Sequence, residues 1–113
     1  MNIPTPRQIQ WADICRDGGS YELGYVDAEN NQYRLRLPVR RASKGIFRKT
    51  EQRVGYLQPT LDTGDRARAE TLTWQEASLL EAQLRPLLDP SIEAGGQERA
   101  AEMLRYLRLR GGL

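Results

Sequence analysis

The stretch SYELGYVDAENNQYRLRLPV, residues 20–39, contains the clearest structural pattern in the chain. In both halves apolar or aromatic residues alternate with polar ones, which is the period of two typical of a β-strand. The residues that share one face are Tyr21, Leu23, Tyr25, Tyr33, Leu35, Leu37 and Val39. Residues 27–32 between them are rich in turn-forming types. The sequence therefore predicts a β-hairpin over residues 20–40.

The alternation also predicts the register of this hairpin. On the core side the predicted cross-strand pairs are Tyr25 with Tyr33, Leu23 with Leu35, and Tyr21 with Leu37. The same register sets Glu22 opposite Arg36, and Gly24 opposite Arg34, on the other face. Pro38 has no N–H to donate, so we expect the second strand to bend there or to lie at an edge.

Basic side chains are concentrated in residues 32–53, which carry eight bases and one acid, whereas the rest of the chain carries nine bases and fourteen acids. Such asymmetry indicates a charged partner. Alternate residues of a strand project from one side about 7 Å apart, close to the phosphate spacing of a nucleic acid, and a two-stranded ribbon can enter the major groove. We therefore predict that nucleic acid binds Arg34, Arg36, Arg40, Arg41, Lys44, Arg48, Lys49 and Arg53.

A different interpretation of the same residues is a solvated sheet face. In that case Glu22 pairs with Arg36, and acids from other elements neutralise the remaining bases. No aromatic residue is predicted to alternate with the arginines on that face, which disfavours base stacking with a single strand. The alternative function is a protein-interaction module, an adaptor or inhibitor that docks on an acidic protein surface or forms a homodimer through its C-terminal helices.

The remainder of the chain predicts helices after strands. A short N-terminal helix over about 6–16 is indicated by Thr5-Pro6 and Gln8, although Ile9 and Trp11 also alternate as in a strand. A third strand is predicted near 53–58, followed by a polar loop over 60–70. Two helices follow, at about 73–88 and 97–109, the first with a capping box at Thr73 and a stop or kink near Pro86. This order predicts a single α+β domain, residues 1–113, in which the helices cover a small antiparallel sheet.

Composition excludes most familiar catalytic chemistry. The chain has no histidine and one cysteine, so Ser/His and Cys/His nucleophile systems, cysteine-based metal clusters and an internal disulfide cannot be built within it. We therefore expect a non-catalytic protein without metal or cofactor. No stretch has the apolar character of a secretory signal or a membrane span, and we expect a cytoplasmic protein without membrane contact.

One short motif has an enzymatic parallel. Leu61-Asp62-Thr63-Gly64 is similar to the active-site triplet of aspartic proteases, a resemblance that implies two carboxylates sharing a proton in a dimer. That family continues with a long β-rich region, whereas the residues that follow here have a helical pattern. We interpret the motif as a polar turn.

Overall fold

The computed structural model describes residues 3–15, 19–38, 58–63, 68–89, 92 and 96–111. These residues form an α+β fold in which strands precede helices, as the sequence predicts. The strands are β1 (Gln8–Cys15), β2 (Ser20–Val26), β3 (Gln32–Pro38), β4 (Thr60–Thr63) and β5 (Arg68–Thr71); the helices are α1 (Trp74–Leu84), a 3₁₀ turn (Arg85–Leu87) and α2 (Gly96–Gly111).

The five strands make one sheet in the order β1-β2-β3-β4-β5, and each strand pairs antiparallel with the next. The β2–β3 register is the predicted one, and Leu23 and Leu35 are fully buried at its centre. Beside them the rings of Tyr25 and Tyr33 stack with their centroids 5.2 Å apart. Of the two effects expected of Pro38, the edge position is not found, because β3 pairs with both β2 and β4, and a bend would fall where the described residues end.

A buried carboxylate organises the turn between β2 and β3. Asp27 accepts hydrogen bonds from the backbone N–H groups of Glu29 and Asn31, both at 2.9 Å, and from the Tyr33 hydroxyl at 3.0 Å. Burial by itself raises the pKa of Asp27, but the hydrogen bonds from Asn31, Tyr33 and Glu29 outweigh it and leave this pKa below its usual value. The hydrogen bonds of the native turn therefore stabilise the ionised form of Asp27.

The N-terminal segment is a strand, and the predicted helix over 6–16 is not present. Strand β1 pairs with β2 over its whole length, and it buries Ile9 and Ala12 in the core. A helix here would leave the β2 edge unpaired, and tertiary pairing therefore overrides the local helix-start signal. The alternation of Ile9 with Trp11 is the pattern that pointed to the strand.

Two further expectations concern the region after the hairpin. The strand predicted near 53–58 falls on residues 53–57, which lie outside the described part of the chain, and Gln58 is not in a strand. The predicted polar loop over 60–70 is wrong, because β4 and β5 form a second hairpin there. Strand β4 forms because Leu61 pairs opposite Leu35 and is buried, an interaction that the local pattern of this polar segment does not indicate.

The two C-terminal helices cover the inner face of the sheet. Helix α1 begins after Thr73, whose hydroxyl accepts from the Glu76 N–H at 3.0 Å while the Glu76 carboxylate accepts from the Thr73 N–H at 3.0 Å. This is the predicted capping box. The α-helix stops at Leu84, just before Pro86, as expected. Helix α2 lies against α1 and β1, and the helical core residues are Ala77, Leu80, Leu84, Ala100, Met103, Leu104 and Leu107.

A buried carboxylate lies close to an arginine of each helical segment. The Glu81 carboxylate is only 1% exposed, and it accepts from the Arg85 guanidinium at 2.7 Å. The Arg108 guanidinium of α2 lies 3.9 Å from the same carboxylate.

No helix of the described residues is long and apolar enough to cross a membrane.

Loss of the capping box should lower stability without changing the fold. Replacement of Thr73 by Ala leaves the Glu76 N–H without its acceptor, so we expect the free energy of unfolding to fall by about 1 kcal/mol in urea denaturation. The control Thr73→Ser keeps the hydroxyl and should unfold near the wild-type midpoint. An Ala variant that matches the wild type would contradict the role of this cap.

Protonation of Asp27 should weaken the native state in acid. Its native pKa lies below that of an unfolded Asp, about 3.9, so its stabilisation is fully present well above that value and disappears as the pH falls through the lower native pKa. We expect Asp27→Asn to be clearly less stable than the wild type at neutral pH, and the gap between their unfolding free energies to narrow at about pH 3. A gap that stays constant with pH would show that Asp27 ionisation does not stabilise the turn.

Candidate nucleic-acid interface

The sheet has two unlike faces. The inner face packs against both helices, and its residues form the core with them. The opposite face, here called the outer face, carries the polar side chains and one aromatic side chain. The central members of the outer face, as the cross-strand register places them, are Trp11, Glu22, Gly24, Arg34, Arg36 and Asp62.

The structure describes two of the eight basic residues predicted to bind nucleic acid. Arg34 and Arg36 lie at alternate positions of β3 and both belong to the outer face, as expected. The remaining six lie outside the described residues: Arg40, Arg41, Lys44, Arg48, Lys49 and Arg53. The structure therefore establishes the positions of the first two residues alone.

The charge of Arg34 is compensated within the sheet. Its guanidinium donates to the Asp62 carboxylate of β4 at 2.6 Å and lies 3.9 Å from the Glu22 carboxylate of β2. The side chain nevertheless remains 48% exposed. Glu22 stands opposite Arg36 in the predicted register, but the Arg36 guanidinium donates to the Ser20 hydroxyl at 3.3 Å. The sequence did not predict Asp62 as a partner of Arg34, because the local pattern around Asp62 indicates a polar turn.

An aromatic ring lies on the outer face, contrary to the expectation that none would accompany the arginines. The β1–β2 register shifts between Ile9 and Trp11, so Ile9 lies opposite Tyr25 on the inner face while Trp11 lies opposite Gly24 on the outer face. The Trp11 indole occupies the space beside Gly24, where an added Cβ would lie 2.1 Å from the indole Nε1. Residue spacing alone could not show this, because a bulge reverses the alternation.

Trp11 and Arg34 border the same cavity. It has a volume of about 360 Å³. Its walls are formed by Gln10, Trp11, Gln32, Tyr33, Arg34, Asp62 and Thr63. One oxygen of Asp62, Oδ2, accepts from Arg34, whereas Oδ1 is buried and has no hydrogen-bond partner among the described residues. The cavity therefore combines an aromatic wall, side-chain amides, an arginine and an unsatisfied acceptor.

The basic segment, residues 39–57, begins and ends at neighbouring points of the sheet. It carries six bases and one acid, whereas the described residues carry nine bases and eleven acids. Next to its start, the Pro38 carbonyl accepts from the Tyr106 hydroxyl at 2.9 Å. Near its end, Pro59 is fully buried, and its carbonyl accepts from the Leu72 N–H at 2.8 Å. The excess positive charge is thus attached at one end of the β3–β4 pair.

Strands β2 and β3 are not a free-standing ribbon. They occupy the second and third positions of a five-stranded sheet, with β1 on one side and β4 and β5 on the other. Four spacings of about 4.8 Å make such a sheet about 19 Å wide, whereas the major groove of B-DNA is about 12 Å wide. The neighbouring strands therefore block insertion of this hairpin into the groove as a two-stranded ribbon, which leaves the outer face as the part of the sheet that could contact a nucleic acid.

A second cavity, of about 490 Å³, lies between the helices. Its lining has both charge signs, including Glu81 with Arg85 and Glu102 with Arg105. The Glu81 carboxylate in this lining is already bound by Arg85, four residues later in the chain. Within the described part of the chain no group of three or more histidine, cysteine, aspartate or glutamate side chains is arranged to hold a metal ion.

Comparisons with protein families, with curated proteins and with solved structures find no match to this chain. The outer face and the charge of the chain are therefore the basis on which a function can be assigned.

The close contact of Trp11 with Gly24 can be tested by a pair of substitutions. The Gly24 backbone lies outside the left-handed region, so Gly24→Ala should act only through its added methyl, which overlaps the indole. We expect it to lower the free energy of unfolding by about 1–3 kcal/mol and to change Trp11 fluorescence. In a Trp11→Ala background the methyl has room, and the cost should disappear. An equal cost in both backgrounds would contradict the contact.

Proposed function

We propose that this protein is a small non-catalytic regulatory protein that binds nucleic acid, with the polyanion lying across the outer face and against the basic segment 39–57. The observation that carries the proposal is the attachment of a segment with six bases and one acid at one end of the β3–β4 pair. A cytoplasmic location belongs to this proposal.

The binding energy comes mainly from the basic segment. Each phosphate that a lysine or arginine neutralises releases counterions, which makes affinity strongly dependent on salt. Arg34 already faces Asp62 and Glu22, so it adds less net charge than a solvated arginine would. The role of Arg34 is to provide a cationic group at one defined position on the outer face. Phosphate contacts are supplied by Arg40, Arg41, Lys44, Arg48, Lys49 and Arg53.

A second candidate function is protein binding, including self-association, through the helices. The observation that favours it is the exposure of Leu79 on α1 and of Leu109 on α2, at 65% and 66%. A pull-down from nuclease-treated lysate together with size-exclusion chromatography separates the two functions. A defined partner protein or a dimer after nuclease treatment supports the second; disappearance of all bound material supports the first.

Mobility-shift assays at several salt concentrations test the proposed function. We expect the wild type to bind nucleic acid with an affinity that falls steeply as salt rises. The variant Arg48→Gln with Lys49→Gln should bind more weakly, because it neutralises fewer phosphates. Its salt slope should be shallower by about 0.7–0.9 for each phosphate that is no longer neutralised.

The matched control removes the same charge from α2 by Arg99→Gln with Arg105→Gln. Both residues are exposed on α2 and lie outside the basic segment, although Arg99 lies 3.9 Å from the Asp13 carboxylate of β1, so binding should stay close to that of the wild type. If both pairs weaken binding equally, net charge and not the basic segment is responsible. If the wild type does not bind at low salt, the proposed function is wrong.

A further inference from the structure

The cavity beside Trp11 lies on the outer face, where a nucleic-acid strand that crosses this face would pass. Its composition suits a particular kind of ligand. At about 360 Å³ it is at the small end of ligand sites in proteins, which run from about 300 to 1,000 Å³. We propose that it accepts one unstacked nucleobase, so that the nucleic acid bound by this protein is single-stranded. This inference rests on the proposed function and specifies its substrate class.

The aromatic wall of the cavity suits the face of a base. Every base has a π-face, and single-stranded nucleic acids are commonly bound by stacking bases on aromatic side chains inside a positively charged groove. Trp11 is positioned for this because it packs at Gly24, the one residue type without a side chain that could displace the ring. It therefore offers a pre-positioned surface, and stacking on it requires little reordering of the protein.

The hydrogen-bonding groups in the cavity suit the edge of a base. Asp62 Oδ1 is a buried acceptor without a partner among the described residues, and such an atom is costly unless a donor reaches it. Directly beside it the Arg34 guanidinium donates to Oδ2 of the same carboxylate. All four bases carry a donor next to an acceptor on their pairing edge, and the exposed amides of Gln10 and Gln32 in the same cavity can both donate and accept.

A duplex cannot satisfy this cavity. In a duplex the pairing edges and ring faces of the bases are occupied by the opposite strand and by stacking, so a base would first have to leave the helix. The sheet is also too wide for the major groove. In a single strand the pairing edges and ring faces are already accessible. The amides of Gln10 and Gln32, which can donate and accept, extend the polar rim of the cavity toward the rest of the base.

Fluorescence titration of the full chain tests this inference. The protein has two tryptophans, so the substitution Trp74→Phe leaves Trp11 as the only reporter. The probes are a single-stranded oligonucleotide, the duplex of the same sequence, and inorganic polyphosphate, which has charge but no bases. We expect the single strand to quench Trp11 and to bind more tightly than the duplex, and polyphosphate to leave Trp11 emission unchanged.

Substitutions at Trp11 test whether the cavity is responsible for the tighter binding of the single strand. Trp11→Ala should weaken binding of the single strand by about ten-fold or more while binding of polyphosphate stays the same, and Trp11→Phe should restore most of the affinity. Far-UV circular dichroism melting checks that each variant is folded, and the Phe variant tests stacking if the Ala variant is unstable.

The outcomes separate this inference from the proposed function. If single strand, duplex and polyphosphate bind equally well, and Trp11→Ala changes none of them, the base-binding cavity is wrong but polyanion binding stands. If no probe binds at low salt, both proposals are wrong. Quenching of Trp11 by the single strand, reversed on addition of its complement, supports both.

Discussion

The register of the β2–β3 pair fixes which side chains face the helices and which face outward across the whole sheet. Side chains alternate across a sheet, so a shift of one residue would move every core residue of a strand to the solvent face. With Leu23 opposite Leu35, the Leu and Tyr side chains face the helices, while Gly24, Arg34 and Arg36 are fixed on the outer face. The neighbouring strands then add to a surface that is already defined. A carboxylate supports this register from the turn, because Asp27 binds both the turn backbone and the Tyr33 hydroxyl.

The sequence predicted the elements that depend on local patterns. The β2–β3 register, the Thr73 capping box and the end of α1 before Pro86 follow from alternation, from short-range hydrogen bonding and from the missing proline N–H. It did not predict β4, which pairs with a strand more than twenty residues away in the chain, or β5, which pairs with β4. Nor did it predict Trp11 on the outer face, because a one-residue bulge changes which side chains face the core. Of the candidate site, only Arg34 and Arg36 could be located, and the local pattern did not indicate the strand that carries Asp62, the carboxylate paired with Arg34.

Charge compensation on the outer face changes what the arginines can do. A positive side chain paired at 2.6 Å with a carboxylate is oriented by that contact, and its attraction for a phosphate is reduced by the nearby negative charge. The second oxygen of Asp62 is buried and has no hydrogen-bond partner among the described residues. The ion pair is therefore better suited to recognising a polar edge than to neutralising a phosphate. The unbalanced positive charge of the chain lies in residues 39–57, outside the described residues.

In the proposed complex the sheet would contact bases and the basic segment would contact phosphates, and this division would determine how the protein discriminates among ligands. Phosphate contacts give affinity with little sequence information, whereas contacts to base edges give specificity. The first kind would come from a segment with its attachment points at Pro38 and Pro59, and the second from side chains fixed on rigid strands. Because the two groups are carried by different parts of the chain, charge substitutions should alter affinity for every polyanion in the same way. Changes at Trp11 or Asp62 should alter the preference for unstacked bases alone. Under the proposed function affinity and discrimination would therefore vary independently, which would not be possible if the arginines of β3 supplied both.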